Sequence, residues 1–491
     1  MRHSVTTLLV LLVSLAGAAQ DFDRQIFSDN DIAGTARYVS MGGAFSAVGG
    51  DVSAVVDNPA ALGIFRHGEV QITGDFMYDA VSSGIMTDRA TRFSMPQLAW
   101  VINFNHGYDK QKGMLQSSVM LQYHRLKTYR RNASFAASSA LSLTDLMADL
   151  TNGLTEDDLR DSLWYYSDNV GTLSEAGYRL RLIEPSTENP KLWNSSLKEG
   201  KTVNNCMQVS ESGSVNEYSL AWGGNISNLI YIGIGANLRS LSYSRTTTYE
   251  EEFASGNDYR LSSSLVATGF GFNGILGLIA RPVSWLRLGI SYQTPTWLTL
   301  TESWYTNGNS RTGVTADFNF VSDKYTENTF LLPMKTTCGV SFQIAQFGLF
   351  SLEYDWTHQL RTVIPDIHRM KIGTEWVLHN NFFLRAGYTY TSSFLRQDQM
   401  FVPAYYDLRA DTDFRNIQRR HYVSAGFGFR NRFLIVEAAY QCRIEKSRQY
   451  AYAMPVYEGE ATEPARWESM SYDMTGVTHR IVLSVGWAMR R

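Results

Sequence analysis

The residues best suited to chemistry in this sequence are paired glycines, which can cradle a phosphate group. Near the start of the chain, the pairs Gly42-Gly43 and Gly49-Gly50 lie in a stretch rich in small residues. The nucleotide-binding spacings G-x-G-x-x-G and G-x-x-x-x-G-K-[ST] are both absent there. A G-x-G-x-x-G match beginning at Gly269 lies inside a predicted strand with no helix after it. We therefore expect no phosphate or nucleotide site.

Hydrolytic chemistry has no better support in the sequence. Neither G-x-S-x-G nor H-E-x-x-H occurs, and His124, His368 and His421 have no convincing catalytic partners. We expect no enzymatic activity, no cofactor and no metal site. Charged residues at alternate strand positions are instead typical of a polar barrel lumen; the clearest are Glu353 with Asp355 and Arg369 with Lys371.

The composition suits a membrane barrel better than a nucleic-acid-binding protein. Hydrophobic residues make up 44% of the 491 residues, charged residues 19% and aromatic residues 13%. Low charge with many Tyr and Trp is typical of a barrel with aromatic girdles, and a net charge of -3 lacks the basic excess that nucleic acids require. The three cysteines are too widely spaced for a disulfide framework or a metal site: Cys206, Cys338 and Cys442.

The first residues have the pattern of a secretory signal. Arg2 and His3 precede the apolar run Leu8–Leu15, and small residues follow, with cleavage expected near Ala18 or Ala19. A membrane anchor is the weaker alternative, because the run is short for a span and no lipid-accepting cysteine follows. No later stretch approaches the ~18 apolar residues of a membrane helix. Any membrane span must therefore be a strand.

From about residue 69 onward, many segments alternate apolar and polar residues, which is the two-residue period of a strand. Alternation alone fits either a soluble sandwich or a membrane barrel, so the spacing between strands must decide. In one late segment the apolar face comprises Leu434, Val436, Ala438, Tyr440, Cys442 and Ile444, and the polar face Glu437, Gln441, Arg443 and Glu445.

We predict about fourteen strands, an even number as in single-chain bacterial outer-membrane barrels. Short turns follow the even-numbered strands, and longer polar loops such as Tyr305–Phe320 and Ser392–Gln418 follow most odd-numbered ones. A transmembrane barrel alternates short periplasmic turns with long outer loops, whereas a sandwich has no reason to do so. Both chain ends then lie on the periplasmic side. The strands are expected near residues 69–79, 93–105, 114–129, 216–226, 229–244, 260–280, 285–302, 332–345, 348–358, 367–377, 382–394, 418–430, 433–446 and 478–489.

One predicted outer loop, from about residue 130 to 215, is much longer than the others. Thr155 and Asp158 have capping-box spacing, and Leu159 and Leu163 are one helical turn apart. We predict two short amphipathic helices on the outer surface. They either shield the barrel mouth or collect ligand, and the sequence favours neither role.

The segment between the signal and the first strand, residues 20–68, is predicted to be a hatch that plugs the barrel. A barrel of this size has a lumen wider than its own side chains can fill, which leaves either a channel or a plug. Small residues allow a folded segment to pack closely on the wall, and Pro59 fixes one backbone angle and removes a donor.

The run ARYVSMGGAFSAVGGDVSAVVDNPAAL resembles the N-terminal hatch of the FadL-like family, outer-membrane transporters of long-chain fatty acids and other hydrophobic compounds. M-G-G-A-F, followed by an acidic residue and N-P-A, carries the resemblance. It implies a fourteen-stranded barrel, a lateral opening at a kink in the third strand, and hatch or gating roles for the matched residues. These are Met41, Gly42, Gly43, Ala44, Phe45, Asn58, Pro59 and Ala60.

The matched turn Asn58-Pro59-Ala60 has a second interpretation. Asn and Pro form turns in many settings, so this segment either gates the lumen or simply anchors the plug. The sequence leaves both open.

The leading functional hypothesis is passive uptake of a hydrophobic small molecule such as a long-chain fatty acid. Outer loops would collect the ligand, an apolar lumen pocket would hold it, and a shift of the hatch would open a side exit into the membrane. The resemblance also allows a second role, as an outer-membrane structural or docking partner of a protein secretion system.

The sequence thus predicts an all-β protein, a transmembrane antiparallel β-barrel in the outer membrane of a Gram-negative bacterium. We expect a signal peptide at 1–19, the hatch at 20–68, and the barrel at 69–491 with a helical exterior insert at about 130–215. The expected partners are the hydrophobic ligand and outer-membrane lipid, with no nucleic acid. We expect a monomer, joined by secretion-system proteins only under the second hypothesis.

Overall fold

The architecture of the chain comes from a computed structural model. It describes residues 26–83, 86–106, 112–161, 170–195, 202–312, 315–321, 326–359, 366–379, 381–393, 410, 412–452 and 471–489. The expected signal peptide, residues 1–19, lies outside the described residues, as do the first residues of the expected hatch.

The long strands form one closed antiparallel barrel. β1 pairs with β2 on one side and with β19 on the other, so the wall closes on itself. The strands are β1 (Gly68–Ser82), β2 (Thr87–Asn105), β3 (Met114–Ser139), β4 (Ile183–Pro185), β5 (Trp193–Ser195), β6 (Val203–Ile226), β7 (Ile230–Phe253), β8 (Asp258–Val283), β9 (Leu286–Gln293), β10 (Thr296–Arg311), β11 (Thr315–Val321), β12 (Thr326–Leu332), β13 (Met334–Ile344), β14 (Gly348–His358), β15 (Ile367–His379), β16 (Phe382–Thr391), β17 (Phe414–Arg430), β18 (Leu434–Tyr450) and β19 (Ser471–Met489).

The barrel wall has fourteen strand positions, which confirms the predicted fold class. β9 and β10 share one position, and β12 and β13 share the next. Gln293 pairs with Lys335, and the same register resumes at Thr296. The breaks fall at Pro295 and Pro333, which have no N–H to donate to the ladder. β11 folds back on the exterior part of β10.

The apolar stripe of each strand faces outward, and polar side chains face inward. On β19, Ile481, Leu483 and Trp487 are 50%, 59% and 58% exposed, whereas Arg480 and Ser484 are 4% and 0% exposed. A soluble sandwich buries its apolar face, so this inverted arrangement requires hydrocarbon outside the wall. The chain is therefore a transmembrane barrel.

Turns at one end of the barrel are short, as predicted. Examples are residues 227–229 between β6 and β7 and residues 431–433 between β17 and β18. β1 begins and β19 ends at the same end, where Gly68 pairs with Met489. We assign this end to the periplasm and the opposite end, which carries the long insert, to the exterior.

Two strands extend further toward the exterior than predicted. The prediction ends β3 at residue 129 and begins β6 at residue 216, whereas the two strands stay paired as far as Ser139 and Val203. These extensions pack their inward side chains, such as Phe135 and Met207, against the insert instead of the hatch. The insert between the two strands is correspondingly shorter than predicted.

The predicted outer loops also contain strand. Of the stretch Tyr305–Phe320, residues 305–311 belong to β10 and residues 315–320 to β11, so its prediction as a loop is wrong; residues 313–314 lie outside the described residues. Of the stretch Ser392–Gln418, residues 414–418 belong to β17, and residues 394–409 and 411 lie outside the described residues. Polar residues in a strand that rises above the bilayer resemble a loop in composition, which explains both errors.

The insert contains three helices among its described residues, one more than predicted. Its capping box is present: the N–H of Asp158 donates to Oγ1 of Thr155 (3.3 Å), and the N–H of Thr155 donates to Oδ2 of Asp158 (2.7 Å). Leu159 is buried, and Leu163 lies outside the described residues. In the part of the chain that the structure describes, no helix could cross a bilayer by its length and apolarity.

The insert packs on the barrel mouth through its apolar side chains. Leu143, Leu146 and Leu173 join one buried cluster with Tyr249 of the wall. Among the described insert residues, only Leu192 is an exposed large hydrophobic side chain. This packing favours the shielding role.

A carboxylate of the wall fixes the start of the first insert helix. Glu251 on β7 accepts from the N–H of Leu143 (3.0 Å) and from the hydroxyls of Ser142 (2.5 Å) and Tyr249 (2.6 Å). We expect Glu251→Ala to release this helix, because buried donors left without an acceptor cost about 1–3 kcal/mol. Amide hydrogen exchange in the helix should accelerate by roughly 5- to 150-fold. Glu250→Ala, on the outer face of the same strand, is the control; unchanged exchange in Glu251→Ala would contradict the anchor.

Candidate functional site: the hatch and the lateral gap

Residues 26–67 fill the lumen and form the hatch. Nearly all of their side chains are buried. The N–H of Ala36 donates to the hydroxyl of Ser484 on β19 (2.8 Å), which ties the hatch to the wall. The hatch contains α1 (Ala36–Ser40), α2 (Ala54–Asp57) and a 3₁₀ helix (Pro59–Ile64), and the insert contains α3 (Leu143–Thr151), α4 (Glu156–Asp161) and α5 (Thr172–Arg179).

The first motif of the hatch forms the turn after α1. The carbonyl of Gly42 accepts from the hydroxyl of Thr389 on β16 (2.7 Å), and the Phe45 ring packs on Tyr38 with 5.6 Å between centroids. Gly42 and Gly43 have φ values of 62° and 76°, the left-handed region that favours glycine. The motif is buried against the wall throughout; its residues are Met41, Gly42, Gly43, Ala44 and Phe45.

The second motif, Asn58-Pro59-Ala60, begins the 3₁₀ helix and contacts the wall. Oδ1 of Asn58 accepts from the N–H of Ala60 (3.0 Å). Nδ2 of Asn58 donates to the carbonyl oxygens of Ser46 (2.8 Å) and Leu278 (3.3 Å). These bonds join two parts of the hatch to β8, a geometry that suits an anchoring turn.

The wall around the hatch carries glycines where side chains would collide with it. A Cβ on Gly233 would lie 2.2 Å from the carbonyl carbon of Pro59, and a Cβ on Gly277 would lie 1.9 Å from Oδ1 of Asn58. Atoms in a packed interior do not approach so closely. We call these two residues and six others with the same property the glycine ring; the others are Gly223, Gly289, Gly339, Gly373, Gly387 and Gly426.

Charged side chains also tie the hatch to the wall. Asp57 of α2 lies 2.7 Å from Nζ of Lys335 and 3.4 Å from Nζ of Lys371. Burial raises the pKa of Asp57, but the two lysines outweigh burial and hold this pKa well below its ordinary value. Nε of Arg37 on α1 lies 2.8 Å from Oε2 of Glu375.

The alternating charges predicted for the lumen do face it. Lys371 lies 2.6 Å from Glu353 and 3.0 Å from Asp355, and all three side chains are buried. Arg369 donates to the carbonyl of Asn30 in the hatch (2.8 Å). These residues therefore help to hold the plug.

The histidines are divided between the two faces of the wall. Nε2 of His124 lies 3.1 Å from the carbonyl oxygen of Ala33 in the hatch. His368 and His421 face outward, each hydrogen-bonded through Nδ1 to a tyrosine hydroxyl. None of these contacts has the nucleophile–base–orienter geometry of a catalytic triad.

β2 and β3 separate in the exterior half of the wall. They pair only over residues 97–105 of β2 and 116–124 of β3. Beyond that point, the described part of β2 pairs only with β1, and β3 only with β6. Pro96 lies at the branch point and has no N–H to donate to β3, and the register of β3 shifts at Leu126. This lateral gap coincides with the irregular third strand that the family resemblance implies.

Residues 26–33, which we call the latch, close the gap from inside. The N–H of Asp31 donates to the carbonyl of Leu126 on β3 (3.0 Å). The hydroxyl of Tyr129, also on β3, donates to the carbonyl of Ile26 (2.9 Å). The latch thus takes the place beside β3 that β2 leaves.

Two carboxylates hold the latch to β3 and to the far wall. Asp29 lies 2.5 Å from Nζ of Lys127 on β3 and 2.6 Å from Arg420 on β17. Asp31 lies 2.9 Å from Arg443 on β18. Removing one partner of a buried ion pair is strongly destabilising, at about 3–5 kcal/mol. Arg480 also donates to the carbonyl of Ile32 (2.8 Å), and the buried Phe27 ring packs on Tyr243, so the latch is held firmly.

A small cavity adjoins the latch. Its volume is about 100 Å³, below the ~300–1,000 Å³ of sites that enclose drug-sized ligands. The lining is more charged than the apolar pocket that we predict from sequence. Its cations are Arg92, Lys127, Arg130, Arg131, Arg245, Arg415, Arg420 and Arg443, and its anions are Asp29, Asp79, Glu211, Asp413 and Glu445.

Arg92 reaches this cavity from the part of β2 that is free of β3. Its guanidinium donates to the sulfur of Met77 (3.1 and 3.0 Å) and lies 3.5 Å from the carboxylate of Asp79. Sulfur is a weak acceptor. A carboxylate that entered the cavity would therefore replace the sulfur of Met77 as a stronger acceptor for Arg92, which also forms an ion pair with Asp79.

On the lipid side, an apolar groove begins directly below the gap. Leu98 of β2 and Tyr123 of β3 lie next to the last paired residues, Gln97 and His124. A molecule that left the barrel through the gap would meet this groove first. The outward side chains that line it are Val70, Leu98, Trp100, Leu121, Tyr123, Tyr218, Leu220, Ala236 and Leu238.

Sequence reasoning missed three parts of this site. The sequence analysis did not identify the glycine ring, although glycine repeated at inward strand positions is itself a signal of close backbone approach. Pro96, inside a predicted strand, was a signal of the point where β2 separates from β3, because proline interrupts strand pairing. The latch has no periodic pattern, and nothing in its sequence pointed to it.

Comparisons with known proteins agree with the fold. No protein-family model matches the chain, and no curated protein matches its sequence. A Pseudomonas aeruginosa FadL homologue of known structure is similar, with a TM-score of 0.52 and 11% identity over 94% of this chain and 100% of that one. The CymD monoaromatic hydrocarbon channel is similar with a TM-score of 0.54 and 9% identity, over 94% of this chain and 100% of that one. The P. putida toluene transporter TodX is similar with a TM-score of 0.50 and 14% identity, over 94% of this chain and 99% of that one.

These similarities show that the chain has the FadL-type fold, as the hatch motif implied. The sequence identities are too low to carry ligand or mechanism across. Together with the apolar outer stripe, the fold places the protein in the outer membrane of a Gram-negative bacterium.

Proposed function

We propose that this FadL-type barrel takes up an amphipathic small molecule, with an apolar body and an anionic group, by passive transport. The observation that carries the proposal is the cation-rich cavity beside a gap that the latch closes. Long-chain fatty acids are the leading ligand class, because a carboxylate forms strong charge-assisted bonds with arginine and an alkyl chain favours the bilayer over water. The similar structures are channels rather than enzymes, which supports a transport role.

The proposed path runs from the exterior into the cavity, through the lateral gap, and along the outer groove into the bilayer. The closed cavity is too small for a fatty acid, so the latch must move first. A latch held by two carboxylates, by hydrogen bonds to its backbone carbonyls and by the packing of Phe27 would have two discrete arrangements, docked and released. The lateral route keeps the alkyl chain out of the aqueous periplasm.

We assign gating to the latch and anchoring to the two hatch motifs, Met41–Phe45 and Asn58–Ala60. Both motifs bond to the wall where the glycine ring admits the hatch backbone, whereas the latch borders the gap itself. This assignment separates a fixed plug from a small moving part, and a small moving part requires fewer contacts to break.

A docking role in protein secretion has less support. The described part of the insert directs its large apolar side chains at the barrel and leaves little apolar surface for a partner. We therefore propose a monomeric transporter whose insert covers the mouth.

Arg92 provides a test of the ligand class. We expect Arg92→Met to weaken the binding of oleate by roughly 10- to 150-fold, because a hydrogen bond to a charged group contributes about 1.5–3 kcal/mol. The binding of oleyl alcohol, which has the same chain without the carboxylate, should change little. Titration of the purified protein with radiolabelled ligands measures both affinities.

Arg311→Met is the matched control, since Arg311 is an exposed cation at the exterior end of β10. Two results would contradict the proposal. One is equal affinity of the wild-type protein for oleate and oleyl alcohol, and the other is a preference for toluene over oleate.

A further inference from the structure

The outward face of β17 to β19 carries polar residues at one defined height. A transmembrane strand needs about 9–11 residues. On β19, residues 479–489 make up that length from the periplasmic end, and His479 is the outward residue that completes it. On β17 and β18, Arg419 and Lys446 follow the last outward residues of the apolar band. These side chains therefore lie where hydrocarbon gives way to lipid headgroups.

Tyrosine–histidine pairs mark the same height on alternate strands. Tyr and Trp are enriched at this boundary in membrane barrels, but a repeated hydrogen bond to histidine is an additional feature. Where the tyrosine hydroxyl donates to Nδ1, the proton of the neutral imidazole lies on Nε2, which then donates outward. The pairs are Tyr354 with His368 (2.7 Å), Tyr388 with His421 (2.8 Å) and Tyr440 with His479 (2.7 Å).

Two cations face each other across β17 and β18, on the exterior side of His421. Arg419 and Lys446 are directly opposite across β17 and β18, and both are exposed on the outer face. Like charges in this position destabilise a sheet. Among the described residues neither cation has an acidic partner, because Asp473 binds Arg448 at 3.0 Å and Glu445 is buried on the lumen side.

We propose that Arg419 and Lys446 bind the phosphate group of a lipid in the outer leaflet, with His421, two residues from Arg419 on the same face of β17, as a flanking donor. One phosphate has several acceptor oxygens and enough negative charge to bridge two cations. Basic side chains next to a membrane attract anionic lipids in this way. Beneath the cations, Val423 and Ile481 offer an apolar surface to the acyl chains of the same lipid. The proposal is independent of the transported ligand.

Native mass spectrometry of the full-length purified protein tests this site. The probes are a phosphorylated glucosamine glycolipid, the same lipid without its phosphates, and inorganic phosphate. We expect the wild-type protein to retain the phosphorylated lipid and the double variant Arg419→Gln with Lys446→Gln to retain at least tenfold less. Arg419→Lys with Lys446→Arg should restore retention.

Arg432→Gln is the matched control, because Arg432 is an exposed arginine at the periplasmic turn. Equal retention of the phosphorylated and dephosphorylated lipids would overturn the proposal. Displacement of the lipid by an equal concentration of inorganic phosphate would overturn the assignment to a lipid. Heat-dependent gel migration checks that the variants fold, and the two single Gln variants, each with partial loss, serve if the double variant does not.

Discussion

A single methyl group on the wall, introduced by Gly233→Ala, should unseat the hatch and make the barrel leak. The new Cβ would lie 2.2 Å from the carbonyl carbon of Pro59 and 2.3 Å from the nitrogen of Ala60. Backbone atoms cannot rotate away as a side chain could. Overpacking of this kind costs about 1–3 kcal/mol, so the population with an unseated hatch should rise by roughly 5- to 150-fold.

Ion conductance in a planar bilayer measures the leak, and sensitivity of cells to a hydrophilic antibiotic measures it in the native membrane. Gly274→Ala on β8 is the matched control, because its Cβ would have its nearest neighbours at 3.8 and 3.9 Å. Both variants should show the heat-dependent gel migration of a folded barrel. If Gly233→Ala conducts no more than the wild type, the glycine ring does not seat the hatch.

The second large effect is expected from Asp29→Asn, which should release the latch and tighten ligand binding. Without the carboxylate, Lys127 and Arg420 lose a buried counter-charge, which weakens the latch by about 3–5 kcal/mol. The apparent affinity for a ligand that binds only when the latch is released equals the intrinsic affinity multiplied by the fraction of molecules with the latch released. Removing that penalty should increase affinity for oleate by roughly tenfold or more.

The substitution also makes the cavity more positive, so a control for charge is needed. Asp413→Asn removes a carboxylate of the same cavity that pairs with Arg131 and Arg245 and forms no ion pair with the latch or with Arg92. Oleyl alcohol provides a second control, because it has no charge. We expect Asp29→Asn to tighten the binding of both ligands. If Asp29→Asn and Asp413→Asn tighten the binding of oleate equally and leave the binding of oleyl alcohol unchanged, charge rather than the latch explains the effect.

The barrel itself was predictable because its physical cause is local. Residues on one face of every strand touch hydrocarbon, so alternation such as that of Leu434, Val436 and Ala438 reveals both strand and face. The ends of the strands were not predictable to the same degree. Above the bilayer, inward residues such as Phe135 pack on the insert, and the outward ones are polar, so the hydrophobic signal fades before the strand does.

The gap and the latch depend on contacts that no local pattern encodes. Whether β2 pairs with β3 beyond Gln97 is decided by the hydrogen-bond register of the whole wall, of which the sequence shows only Pro96. The latch meets β3 through the backbone of Asp31 and the charge of Asp29, across about a hundred residues of sequence. The matched hatch motif was more informative, because positions with positive φ, such as Gly42 and Gly43, are occupied by glycine and can be recognised in the sequence.

The glycine ring constrains how the sequence of this protein can drift. At the positions of the glycine ring, atoms of the hatch occupy the space that a side chain of the wall would fill. A larger residue on either side therefore requires a smaller one, or a displaced backbone, on the other. A bulkier residue at Gly233 becomes tolerable only with a compensating displacement of Pro59, and a thicker turn there requires an equally bare wall. Plug and cylinder are thus bound to evolve as a matched pair, while the exterior insert is free of that restriction.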